Sequence, residues 1–194
     1  MSSKPTALAL VHFPVLDRRG DVVATAVTNL DLHDLARTAM TYGVEKLYIV
    51  TPVAEQQRLA EKIRDHWCQG YGATYNPLRK EALSLMEISD SLESAMVAWE
   101  KRNGEAIVPV LTGASVNNGI SCETCREIST QHPLFLVFGT GWGLAPTLFE
   151  KNWRALKAIK GKGEYNHLPV RSAAAIIMDR LFGNEDRTDI DCSE

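Results

Sequence analysis

Three glycines in five residues, Gly139-Thr-Gly-Trp-Gly143, form the first segment of the chain that could bind a ligand. A glycine has no Cβ, so its backbone can come close to a bound molecule, and such a loop can bind a phosphate or a nucleoside. The loop lacks the GxGxxG dinucleotide fingerprint and the Lys-Ser/Thr ending of a P-loop. A tight turn with no ligand is therefore an equally good interpretation.

A second polar segment, residues 165–175, precedes an alanine-rich helix start. It contains His167, four residues before Arg171. An imidazole titrates near neutral pH and can take part in acid–base chemistry. An ordinary surface histidine is the alternative.

Short apolar runs alternate along the chain with stretches of helical periodicity. This alternation predicts an α/β fold with an open, mostly parallel sheet and helices on both faces. We predict strands at about 8–13, 46–50, 82–88, 106–111 and 134–138. We predict helices at about 30–42, 54–67, 90–102, 121–131 and 170–182, a turn at 17–20 and a loop at 69–77. Asn29 or Asp31 is the expected N-cap of the first helix.

In open parallel sheets, ligands bind at the carboxyl ends of the strands. Three loops should lie at that edge: residues 112–115, residues 139–144 and residues 161–171. The glycine loop and His167 are therefore expected to share one site.

The composition limits the classes of function. The net charge of −3 argues against a protein that coats nucleic acid by bulk charge, but allows a local basic patch. A run of five cations could steer phosphate or simply be a solvated face: Lys151, Arg154, Lys157, Lys160 and Lys162. We expect one domain over residues 1–183 and a polar tail over 184–194.

The cysteines and the absence of long apolar runs bear on location. No signal-peptide pattern and no apolar run long enough to cross a bilayer is present, so we expect a cytoplasmic protein with reduced thiols. Cys122 and Cys125 form a lone CxxC without a second ligand pair, so no metal is expected.

Three motifs in this order resemble those of the SPOUT, or α/β-knot, superfamily of RNA methyltransferases. Residues 29–44, with Arg37-Thr-Ala followed by Tyr-Gly-Val, look like its first motif. Residues 136–144 look like the second, and residues 167–175 look like the third. The combination is most similar to a small bacterial family of knot methyltransferases that sometimes occurs as an extension of tRNA (guanine-N1) methyltransferase.

The resemblance implies a C-terminal deep trefoil knot, S-adenosylmethionine bound by the knotted loops, an RNA substrate (tRNA or rRNA) and a homodimer. The cofactor-binding residues that it implies are Leu111, Thr112, Gly113, Phe138, Gly139, Gly141, Gly143, Ile159, Gly161, His167, Leu168 and Ser172. It also assigns Arg37 to the substrate or catalytic site.

Methyl transfer needs alignment of the acceptor and can need removal of its proton. The candidates for the base or the positioning group are Asp31, His33, Asp34 and His167. Arg37 and Arg171 could hold phosphate through paired N–H donors. Helix capping and a solvated first turn are the alternative for the acids.

The chain also departs from the superfamily pattern. The 2′-O-ribose branch has Asn and Gly where this chain has Asp31 and His33, and no Glu follows Gly139. The acceptor atom is therefore open. A cofactor-binding RNA or regulatory protein without catalysis is a further alternative, as is a flavodoxin-like or Rossmann protein.

Overall fold

The structure, a computed structural model that describes residues 3–163 and 165–183, contains a six-stranded sheet between two layers of helices. In chain order, the strands of the described residues are β1 Thr6–Val11, β2 Val15–Leu16, β3 Val22–Val23, β4 Lys46–Val50, β5 Met86–Ser89, β6 Val108–Leu111, β7 Leu134–Gly139 and β8 Arg154–Ala155. Strands β2 and β3 form a separate two-stranded sheet, and the other six form the main sheet. The helices are α1 Asn29–Thr41, α2 Ala54–Cys68, α3 Tyr71–Tyr75, α4 Pro77–Leu83, α5 Leu92–Asn103, α6 Cys122–Gln131, α7 Pro146–Phe149 and α8 Val170–Phe182. The predicted tail at 184–194 lies outside the described residues.

The main sheet has the order β5-β4-β1-β7-β6-β8, and every neighbouring pair is parallel. This confirms the predicted α/β class. All six residues of the central strand β1 are buried, as expected for a strand covered on both faces. Leu8 and Leu10 point into the core under α1, α2, α4, α6 and α8. Ala7 and Ala9 point into the core under α5 and α7.

The predicted loop at 69–77 and the predicted strand at 82–88 are partly wrong. The short helices α3 and α4 occupy most of this segment, and the strand begins only at Met86. The Asn76 side chain accepts from the N–H of Arg79 and caps α4, and Pro77 occupies its first turn. This local capping outweighs the apolar character of residues 82–85.

The start of α1 also differs from the prediction. Its N-cap is Thr28, whose hydroxyl accepts from the N–H of Asp31, rather than Asn29 or Asp31. The predicted turn at 17–20 is confirmed, and it joins the two strands of a small antiparallel hairpin, β2 and β3. No helix within residues 3–163 and 165–183 has the length and apolar character needed to cross a membrane.

Candidate functional site

The three loops predicted to share a site do lie together at the carboxyl edge of the sheet. The Asn166 side-chain N–H donates to the carbonyl of Ala114 over 2.9 Å, which joins the loop after β6 to the segment before α8. The rings of Trp142 and His167 lie 6.2 Å apart, which brings the glycine loop to the same segment. The topology therefore places all three loops around one region.

Each glycine of the 139–143 loop has a local structural reason. Gly141 and Gly143 adopt positive φ angles of 58° and 109°, which side chains disfavour. A Cβ at Gly139 would lie 2.8 Å from the backbone nitrogen of Leu144. The tight-turn interpretation therefore accounts for the glycines. The cofactor role of this loop remains a prediction.

The predicted cofactor-binding residues divide by exposure. The side chains of Leu111 and Phe138 are each 1% exposed and belong to the core, so only their main-chain atoms could contact a ligand. Thr112 is also buried, and its hydroxyl donates to the carbonyl of Val137. The partly exposed members are Gly113, Gly139, Gly143 and Ile159, and the exposed ones are Gly141, Gly161, His167, Leu168 and Ser172.

An ion-pair cluster links the first turns of α1 and α8. Arg171 Nη1 donates to Asp34 Oδ2 over 2.9 Å, and Arg171 Nε lies 3.1 Å from Asp31 Oδ1. The Asp31 side chain is only 15% exposed, and the Thr28 hydroxyl also donates to it. Arg171 thus holds the beginning of α8 against the beginning of α1. The ion pair shows that helix capping explains only part of the role of Asp31.

The other predicted catalytic residues lie outside this cluster. His33 and Arg37 line a neighbouring cavity against α2 and α4. His167 is exposed and makes edge contacts with the rings of Tyr165 and Trp142, at 5.3 and 6.2 Å. The predicted catalytic residues therefore form three groups: Asp31 with Arg171, His33 with Arg37, and His167 alone.

His33 has an unusual electrostatic environment. Burial lowers its pKa, the positive charges of Arg79 and Arg37 lower it further, and Asp34 opposes them. Its Nδ1 atom is buried and makes no hydrogen bond. This environment therefore favours the neutral imidazole.

His12 is a buried residue near the glycine loop that the sequence did not single out. It follows β1 directly, is fully buried, and its Nδ1 lies 3.0 Å from the Thr25 hydroxyl. Burial lowers its pKa to about 4, against the opposing charge of Asp31. Thr25 in turn bonds to Thr140 of the glycine loop. The sequence feature that could have indicated this residue is a histidine at the end of an apolar strand.

The basic run and the CxxC pair are ordinary in this structure. Lys151 pairs with Glu93 and lies over Trp153, and Lys160 donates to Asn117. Cys125 is buried, which raises the pKa of its thiol to about 12. Among the described residues, no three His, Cys, Asp or Glu side chains are grouped to hold a metal ion.

Solved structures share this architecture. AviRb, a SpoU methyltransferase of Streptomyces viridochromogenes determined in complex with AdoMet, superposes with a TM-score of 0.57 over 94% of this chain and 58% of that chain. Its identity to this chain is 15%, so the likeness shows the fold. The fold is that of the SpoU methyltransferases.

The family follows from the sequence comparisons. The model of the SAM-dependent RNA methyltransferase family matches residues 5–183, so the chain belongs to this family. The predicted superfamily and the predicted cofactor class are thereby confirmed.

Two relatives match most of this chain. A tRNA (guanine-N(1)-)-methyltransferase of Oleidesulfovibrio alaskensis is 39% identical over 91% of this chain and 41% of that protein. An uncharacterized protein of Aquifex aeolicus is 35% identical over 94% of this chain and 90% of that protein. The chain thus spans less than half of the named methyltransferase.

Proposed function

We propose that this chain transfers a methyl group from S-adenosylmethionine to a nucleotide of RNA, and that tRNA is the first substrate to test. Membership of the SAM-dependent RNA methyltransferase family carries this proposal. The tRNA methyltransferase relative supports tRNA over rRNA. Because only 41% of that relative is matched, its guanine specificity does not transfer, and both base nitrogens and ribose 2′-oxygens are candidate acceptors.

The cofactor site in this proposal is formed by the loops after β6 and β7 and the segment before α8. Partial exposure of the main chain at Gly139 and Gly143 supports this assignment, because a nucleoside could contact these groups. Trp142 and Leu168, 60% and 44% exposed, offer apolar surface to a purine ring. Gly161 has open space around its Cα, which leaves room for a ligand.

When bound, the cofactor supplies an electrophilic methyl group, so the chain must align the acceptor atom and accept its proton. His33 is the candidate base in this proposal, because it lines the cavity and its environment, burial first, favours the neutral imidazole. Asp31 and Asp34 act on Arg171, which they hold in a fixed position for a phosphate or a ribose oxygen. Arg37 lies next to His33 on the same cavity wall.

Methyl transfer from radiolabelled S-adenosylmethionine to unmodified tRNA and rRNA transcripts tests this proposal. We expect incorporation into one RNA, and nucleoside analysis will separate base from ribose methylation. Asp31→Asn, His33→Gln and Arg37→Gln should each lower kcat/KM by about 10²-fold or more, as loss of a base or a positioning group does. Glu100→Gln, on the exposed face of α5 across the sheet, is the matched control.

Two results would contradict the proposal. Full activity in all three variants would remove these residues from the site. Cofactor binding without transfer to any transcript would favour a non-catalytic, cofactor-binding RNA or regulatory protein.

We further infer that the chain acts in the cytoplasm as a homodimer. Tyr165, whose side chain is 81% exposed beside the glycine loop, supports a partner at this edge. Light scattering on the purified chain checks this. A monomer that is still active would contradict the dimer.

A further inference from the structure

A cavity of about 550 Å³ lies between α1, α2 and α4, beside the ion-pair cluster of Arg171. Cationic and aromatic side chains dominate its walls. The lining residues that matter here are Arg37, Lys62, Arg79, His33, Asp34 and Trp67.

Three cations face this space without a counter-charge. Among the described residues, no carboxylate lies within 4.0 Å of the charged groups of Arg37, Lys62 or Arg79. Asp34, the acid in the cavity wall, is engaged by Arg171 at 2.9 Å. Like charges repel one another, so gathering three of them is favourable chiefly when an anion joins them.

The position of Arg79 is fixed before any ligand arrives. Its guanidinium lies 4.7 Å from the centroid of the Trp67 ring, within cation–π distance. The His33 ring meets the same indole edge-on at 5.5 Å and 88°. The planar guanidinium presents its N–H donors in a rigid fork, which suits phosphate oxygens.

The neutral state of His33 is consistent with this field. Burial is the main cause that lowers the pKa of His33, Arg79 and Arg37 lower it further, and Asp34 opposes them.

Helix α3 packs against Trp67 of the cavity wall and carries two exposed aromatic rings. A Cβ at Gly72 would lie 2.6 Å from the Trp67 ring, so α3 packs directly against this indole. Tyr71 and Tyr75, on the same helix, are 75% and 72% exposed, and their rings stack at 6.0 Å and 24°. Exposed flat rings beside cations are the surface on which unpaired bases stack.

We propose that this cavity binds phosphate groups of an RNA strand through Arg37, Lys62 and Arg79, and that the Tyr71–Tyr75 pair stacks an unpaired base of the same strand. The inference rests on the proposed function for its choice of RNA. The stacking surface favours an RNA strand over a free phosphate compound, because only a strand places a base and several phosphates there together. The cavity thereby docks the RNA beside the cofactor loops.

Fluorescence anisotropy with a labelled, unmodified tRNA transcript, without cofactor and over a series of KCl concentrations, tests this. Lys62→Gln and Arg79→Gln should each weaken binding by about tenfold and reduce the salt slope by about one. Tyr75→Ala should weaken RNA binding about fivefold, because one stacking contact is lost. Lys62 is exposed and pairs with no described residue, so its variant should fold normally.

Lys101→Gln is the matched control, since Lys101 is exposed on α5, across the sheet from the cavity. It should change the Kd less than twofold. Calorimetry should show that the same variants bind S-adenosylmethionine as the original chain does.

Unchanged RNA affinity in the Lys62 and Arg79 variants would overturn the inference. So would loss of 5′-AMP or inorganic phosphate binding with RNA binding intact, which would assign the cavity to a small phosphate compound. A change of oligomeric state with RNA binding intact would assign it to a second copy of the chain. RNA bound through the cavity without methyl transfer would support the inference and contradict the proposed function alone.

Discussion

His12 couples the central strand to the candidate site. It follows β1, is fully buried, and reaches the glycine loop through Thr25 and Thr140. Its pKa of about 4 in the folded chain lies well below the ordinary value of 6.5. Between these two values, the His12 imidazole is therefore neutral in the folded chain and protonated in the unfolded chain.

The sign of the resulting pH dependence follows from proton counts. Between pH 6.5 and 4 the unfolded chain binds a proton at His12 and the folded chain does not, so the free energy of unfolding falls as the pH falls. A pKa lowered by this amount corresponds to about 3 kcal/mol by pH 4, and none of it is lost above pH 7. His12→Asn should flatten this part of the stability curve.

Urea denaturation of both chains at several pH values from 7.5 to 4.5 measures the effect. The difference between the two curves isolates His12 from carboxylates that titrate at lower pH. A difference that is constant with pH would contradict the assigned environment.

At the residue scale, the sequence supplied candidate site residues but not their partners in the fold. Asp31, His33 and Arg171 were candidates from their motifs, but the Arg171–Asp34 bond joins positions 137 residues apart. That pairing needs α1 and α8 to begin at the same edge of the sheet, which no local pattern contains. The cation–π contact of Arg79 has the same origin, because it depends on α4.

At the element scale, the segment from β8 to α8 passes against the loop after β6 and is hydrogen-bonded to it. The Ile120 N–H donates to Ala155, the Lys157 N–H donates to Ile120, and the Ala158 N–H donates to Val116. A Cβ at Gly119 would lie only 2.4 Å from the carbonyl oxygen of Ala155. We propose that this crossing belongs to the trefoil knot that the superfamily resemblance implies.

Gly119→Ala tests the tightness of the crossing. The added methyl group collides with backbone that cannot move away alone, so we expect a loss of about 1–3 kcal/mol in unfolding free energy, as for overpacked sites. Gly163→Ala, whose added methyl group would have no atom within 4 Å, should cost less than about 0.5 kcal/mol. Thermal and urea denaturation compare the two, and equal stabilities would contradict the close approach.

Elements with strong periodicity were predictable and those formed by local capping were not. The strand at 46–50 and the helix at 170–182 match the structure at both ends. The short helices α3 and α4 were missed because glycine and aromatic residues at 69–77 resemble a loop. The decisive features there are the Asn76 cap and the contact of Gly72 with Trp67.

At the scale of the whole molecule, the chain carries two proposed sites next to each other, one for the cofactor and one for RNA. The loops after β6 and β7 and the segment before α8 form the proposed cofactor site. The cavity of Arg37, Lys62 and Arg79 forms the proposed RNA surface, and Arg171 lies between them. A net charge of −3 is compatible with RNA binding because three cations line this one cavity.

Calorimetric titration of the purified chain with S-adenosylmethionine and S-adenosylhomocysteine, with NAD as the control, tests the central claim most directly. The account predicts saturable binding of the first two and none of NAD. It also predicts that Gly141→Val abolishes binding, because the side chain would need a positive φ and would collide with the Leu16 carbonyl. Absence of binding to the original chain, or binding of NAD instead, would contradict the claim that these loops form a methyl-donor site.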